Sequence, residues 1–240
     1  MTLVLIPAYQ ATSAEWIELA RALSSDRRVF AVDVNGDAGR STTGVRAIAT
    51  RADMVEWIDA VLDALQLQTA ELCGHSYGAW IALAYALDRP QRVDRVTLLD
   101  PTMCFAPLFP AYVLRALPAL LKPTSARRTS LIRWESKKGT GALDPDWLQV
   151  TGMGADVFGD APTVPTKIPT PAALTGLGPP ALVIMAGATR VHAKAQVARK
   201  ARQRLPDARV ETVDGATHYG LPMTHAEQVA TLMKDSRHPA

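Results

Sequence analysis

Six apolar runs punctuate the chain: Leu3 to Ile6, Val29 to Val34, Ala70 to Cys73, Val93 to Leu99, Ala181 to Met185 and Val210 to Val213. Runs of this length without strict alternation predict strands buried on both faces, the signature of a parallel sheet. Between them the apolar period changes to that of a helix. Trp16, Leu19, Ala20 and Leu23 fall on one face after the polar loop Ala8 to Ser13, where Ser13 is placed to cap the helix. A second helical face carries Ile48, Val55, Ile58, Val61, Leu62 and Leu65, and a third runs from Ala79 to Leu87 until Asp88-Arg89-Pro90 stops it. Val191 to Leu205 and a last segment with Val229, Leu232 and Met233 complete the series. Strand and helix in alternation predict an α/β fold, a mostly parallel sheet of about six strands with helices on both faces.

The alternation breaks after the fourth strand. Residues 101–178 contain ten prolines, no strand pattern and an apolar stretch with Leu108, Phe109, Tyr112, Val113, Leu117, Leu120 and Leu121. This segment reads as a helical lid inserted into a core formed by 1–100 and 179–240. Phe105, Phe109, Tyr112 and Trp134 are candidates to roof an apolar pocket, or to form the lid's own core. The lid has eight Lys+Arg against five Asp+Glu, among them Arg128, Glu135 and Asp160. An acidic substrate or plain surface solubility accounts equally for that excess.

The chemistry gathers at Gly74-His75-Ser76-Tyr77-Gly78, a Gly-x-Ser-x-Gly sequence with a strand before it and a helix after it. A serine on a sharp strand-to-helix turn takes a strained backbone, and small flanking residues let the turn close. The turn lifts the Ser76 hydroxyl above the sheet and sets the Tyr77 N–H at a helix start, where developing negative charge is favoured. In parallel sheets functional groups collect beyond the carboxyl ends of the strands. Ser76, Asp100 and His218 stand at three such ends.

Composition narrows the field. The 240 residues allow one large domain with an insertion, and a net charge of +3 gives no argument for nucleic acid. Cys73 and Cys104 are too few for a disulfide scaffold and fit a reducing compartment. The apolar N-terminus is short and has no basic leader, and no run reaches the about 18 residues needed to span a membrane. A cytoplasmic protein is the expectation, with no metal or cofactor required. The loop Asn35 to Ser41 is glycine-rich but lacks the Gly-Lys-Ser/Thr ending of a phosphate loop.

Leu-Val-Leu-Ile-Pro-Ala-Tyr at 3–9 with Trp16 downstream, Val-Asp-Val-Asn-Gly-Asp-Ala-Gly-Arg-Ser at 32–41, Cys-Gly-His-Ser-Tyr-Gly at 73–78 and Gly-Ala-Thr-His at 215–218 together resemble the α/β-hydrolase superfamily. The resemblance implies a catalytic order of serine, acid and histidine along the chain, with the six strands matching the third through eighth of the full fold. It implies Ser76 as nucleophile, His218 as base, and backbone N–H groups of Tyr9 and Tyr77 as the oxyanion hole. The substrate class implied is a carboxylic ester or thioester with a partly apolar acyl group. Two departures stand out. Many relatives have His-Gly where this chain has Pro7-Ala8. Relatives often place the acid after the strand that ends here at Ala186, yet Gly187-Ala188-Thr189-Arg190-Val191-His192 holds no carboxylate. A variant of the superfamily carries the acid one strand earlier, which is where Asp100 stands.

The other candidates have simpler readings. His75 packs beside the elbow, His192 opens a basic helix, His225 lies at a helix start and His238 in the tail. Asp33 and Asp37 are structural, and Asp214 leaves the sheet on a different line from His218. Asp100 is the expected acid, with a carboxylate oxygen within roughly 3.2 Å of a His218 ring nitrogen. A Ser–His dyad is the competing arrangement. A hydroxynitrile lyase-like enzyme or a cofactor-free oxygenase would use the same serine and histidine on protons, and a catalytically silent binding protein would use neither.

Overall fold

The computed structural model describes residues 2–41, 48–159 and 164–236. Six strands form one parallel sheet: β1 (Thr2–Ile6), β2 (Arg28–Ala31), β3 (Ala70–His75), β4 (Val93–Leu99), β5 (Ala181–Ala186) and β6 (Arg209–Val213), in the order β2-β1-β3-β4-β5-β6. The chain steps outward from β1 to β2, then crosses back to β3 on the other side of β1. The order therefore reverses between β1 and β3, and a parallel sheet opens a crevice at such a point, beyond the strand ends.

The strands match the apolar runs closely except at β2, which ends at Ala31 rather than Val34. The Val32 N–H still bonds the Leu5 carbonyl. Asp33 then turns aside, its carboxylate accepting from the backbone of Ser13 and, at 2.8 Å, Arg40.

Side chains leave a strand alternately up and down, so each strand supplies two cores. Val4, Ile6, Leu72, Val96, Leu98, Val183 and Met185 face one way. They pack under α2 (Arg51–Ala64), α3 (Tyr77–Asp88) and α8 (Lys194–Arg204). Leu3, Leu5, Cys73, Leu99, Leu182 and Ile184 face the other way, against Trp16, α1 (Ile17–Leu23) and α9 (Ala226–Asp235). Thr12, not Ser13, caps the first turn, accepting from Ala14 N–H. Ile48 is buried but precedes α2, which starts at Arg51 behind a capping box of Thr50 and Asp53.

Residues 101–178 carry α4 (Pro110–Leu121), α5 (Ser125–Ser136), α6 (Pro145–Phe158) and α7 (Pro171–Thr175), and no strand among the described residues. Asp160 and His238 lie outside the described residues. Of the four aromatics considered for a roof, only Tyr112 lines a cavity beside Ser76. Phe105 is fully buried in the sheet core and Phe109 is exposed. Trp134 lies under the Arg190 guanidinium, 3.7 Å from its ring centre. Both cysteines are free and buried. No helix among the described residues is long and apolar enough to cross a membrane.

Candidate active site

Five non-glycine residues among those described have positive φ, and four of them ring the strand ends: Gln10, Ser76, Asp100 and Met103. Side chains rarely tolerate that region, and where it persists the surrounding structure enforces it. Ser76 has φ 54° and ψ −113°. The close approach that holds it there depends on two glycines. A Cβ on Gly74 would lie 2.1 Å from the Gly78 carbonyl oxygen, and one on Gly78 would lie 2.1 Å from that of Ile6. The Tyr77 N–H is among the first amides of α3, which have no acceptor within the helix.

Ser76 opens on a cavity of about 300 Å³ at the β1/β3 crevice. Tyr9 and Tyr77 flank it, α4 contributes Tyr112 and Leu120, and α5 contributes Arg128 and Leu131. The loop that carries Tyr9 is fastened on both sides. Ala8 N–H donates to Glu15 Oε2 and Gln10 N–H to Asp37 Oδ2. Asp33 and Asp37 thus bind backbone amides.

Asp100 and His218 meet. Asp100 Oδ2 stands 2.6 Å from His218 Nδ1, and both residues are buried. The β5 end without a carboxylate turns its donors toward Asp100. Thr189 Oγ1 donates to Oδ2 at 2.7 Å, and Ala186 N–H to Oδ1 at 3.1 Å. His192 Nε2 stands 3.3 Å from Oδ1. Burial alone would raise the proton affinity of Asp100, but His192 and His218 hold it well below the usual carboxylate range. Among the described residues no hydrogen bond ties Ser76 Oγ to His218, and with Nδ1 turned to Asp100 the ring has Nε2 left to offer.

Two partners of His218 escaped the sequence. His75 is not a passive packing residue. It is fully buried, its Nδ1 is paired with Glu15, and its ring centre is 4.5 Å from that of His218. Burial disfavours charge on His75, yet Glu15 outweighs it and raises its pKa. Burial and the charge on His75 together push His218 down to about 4, against the pull of Asp100. Glu135, buried on α5, accepts the His218 backbone N–H at 3.0 Å. Burial raises its pKa to about 7. The turn after α5 joins this contact: Thr140 N–H donates to the Gly215 carbonyl, and Thr140 Oγ1 lies 3.1 Å from His225 Nε2. A polar residue inside an otherwise ordinary helix was the one sequence signal for Glu135.

Comparison with known proteins agrees with this architecture. Carboxylesterase YbfK of Bacillus subtilis is 37% identical over 109 residues, covering 45% of this chain and 36% of that protein. The 2-hydroxymuconate semialdehyde hydrolase of Pseudomonas sp. (strain CF600) is 40% identical over 86 residues, 36% of this chain and 30% of that one. The matched segments span about a third of these relatives' lengths. The crystal structure of carboxylesterase CesB (YbfK) superposes with a TM-score of 0.84 at 26% identity, covering 97% of this chain and 83% of that one. The naproxen esterase of Bacillus subtilis has the same fold, with a TM-score of 0.85 at 23% identity over 98% of this chain and 82% of its own. The sequence model described as the alpha/beta hydrolase fold matches residues 2–128. This chain belongs to the α/β hydrolase fold family.

Proposed function

We propose that the chain is a serine ester hydrolase acting on carboxylic esters or thioesters through an acyl-enzyme. Ser76 Oγ attacks the acyl carbonyl as His218 Nε2 takes its proton. The Tyr9 and Tyr77 backbone N–H groups receive the developing oxyanion. His218 returns the proton to the leaving alcohol or thiol, then activates the water that releases the acid. Asp100 fixes the imidazole tautomer and stabilises the imidazolium that forms in each half-reaction. A histidine held near pKa 4 is neutral at pH 7 and available as a base. Residues 101–178 act as a lid over the core formed by 1–100 and 179–240.

The observation that most supports this reading is the 2.6 Å contact of Asp100 with His218, beside a cavity into which a strained Ser76 opens. The likeness to carboxylesterases points the same way. A fluorophosphonate probe is expected to label Ser76 alone, and Ser76→Ala to abolish turnover of short p-nitrophenyl esters. Folded protein that neither labels nor turns over esters would defeat the reading, and tight ligand binding without turnover would point to a silent binding protein.

A further inference from the structure

Arg128 is a buried cation on α5 that lines the Ser76 cavity, with only 5% of its surface exposed. Its Nη2 donates to the Tyr9 carbonyl at 2.6 Å, and its guanidinium carbon stands 5.7 Å from the Tyr219 ring centre. Its Nε is buried without a hydrogen-bond partner. Among the described residues no carboxylate forms an ion pair with it. Asp37 is the acid that feels its charge, but that carboxylate is bound by the amides of Gln10 and Ala38. Much of the remaining cavity wall is apolar, including Leu108, Leu120, Leu131 and Val191.

Burying a charge is costly unless it is paired. Holding the Tyr9 carbonyl and the Tyr219 hydroxyl would need two neutral donors, whereas a guanidinium presents five donors in a fork shaped for a carboxylate. We propose that Arg128 is the anion-binding group of this pocket, and that the preferred ester carries a carboxylate on its acyl chain. This rests on the ester-hydrolase reading above. The position of the anion follows from Tyr9. Nitrogen and oxygen of one residue lie roughly 3 Å apart, so the guanidinium is within roughly 6 Å of the proposed oxyanion donor. The carboxylate then sits a few bonds from the scissile carbonyl, as in the monoester of a short dicarboxylic acid.

Monomethyl glutarate and methyl pentanoate present the same scissile ester and nearly the same length, and differ in one terminal charge. Followed by acid release, the wild type is expected to favour monomethyl glutarate at least tenfold in kcat/KM. Arg128→Gln removes the charge and leaves a shorter polar side chain, and it should collapse that ratio toward one. Arg128→Lys should keep part of it. A wild-type ratio near one, or a ratio that Arg128→Gln leaves unchanged, would overturn the proposal. Calorimetry on Ser76→Ala separates this from a failure of the esterase reading. Monomethyl glutarate binding at least tenfold tighter than methyl pentanoate supports the anion site whether or not esters are turned over, and equal binding refutes it.

Discussion

Two buried carboxylate–imidazole couples lie side by side next to Ser76, Asp100 with His218 and Glu15 with His75. Their ring centres are 4.5 Å apart, and their chemistry is opposite. His75 is driven toward its charged form by Glu15, while His218 is driven toward its neutral form by burial and by His75 itself. Asp100 spreads its charge over the Thr189 hydroxyl, the Ala186 amide and the nearby His192, so His218 does not take all of it. Glu15 divides its own between His75 and the Ala8 amide. Partner type alone does not decide protonation. The number of competing donors and the neighbouring charge do.

The sharpest test of this contrast is substitution of each acid. Asp100→Asn should leave the fold intact and lower kcat by up to about 10⁴-fold, because the imidazole loses its orienting charge. Glu15→Gln should show its main effect in stability. It leaves a buried His75 without a counter-charge, so urea unfolding should show a loss of about 3–5 kcal/mol. If Glu15→Gln lowered kcat as far as Asp100→Asn does, the two couples would not differ in role.

Glu135 gives the next largest effect. Its pKa of about 7 in the fold lies above the ordinary 4.5, so between these values the unfolded chain ionises first. Stability is lost as pH rises through that window, to the extent of roughly 3 kcal/mol at most. Glu135→Gln keeps an acceptor for the His218 amide and cannot titrate. Its stability relative to wild type should therefore improve from pH 4.5 to 8, as read by denaturation at both values. An unchanged difference would show that the fold does not raise the Glu135 pKa.

The smallest effect is in the pH profile. Because the base must be neutral, kcat/KM falls on the acid side of the His218 pKa, and that limb should lie well below the ordinary 6.5, near about 4. The double variant Glu15→Gln, His75→Asn removes both charges of the second couple and should move the limb upward. A limb that stays in place would mean that the charge of His75 does not depress His218.

Much of the frame was legible because strand and helix periods are local properties of the chain. The apolar runs at 3–6, 93–99 and 181–185 set the sheet, and the glycines around Ser76 marked the turn. Asp100 was inferred by elimination and strand order, and its carboxylate stands 2.6 Å from His218, inside the limit of roughly 3.2 Å that was expected. What stayed hidden were contacts between segments distant in sequence. Glu15 looked like any polar residue of a first helical turn, and its partner His75 is 60 positions away. His192 looked like the start of a basic helix, because its nearness to Asp100 depends on how the loop after β5 turns back. Thr12, one residue before the expected Ser13, supplies the cap because the first turn begins at Ser13 itself.

The clasp between α5 with the turn after it and the loop that carries His218 bears on how such a protein can be re-engineered. Glu135 grips the His218 amide, Thr140 grips Gly215, and a Cβ on Gly139 would strike Thr217. Wall-building residues such as Leu120 and Leu131 share their segment with these three positions. A segment grafted from a relative in place of 101–178 would replace the pocket wall and the support of the histidine in one stroke. Chimaeras should therefore lose turnover on every ester unless 135–141 travels as a fixed seam, while libraries confined to α4 alter selectivity alone. On the proposed function, recognition and reactivity would be inherited together.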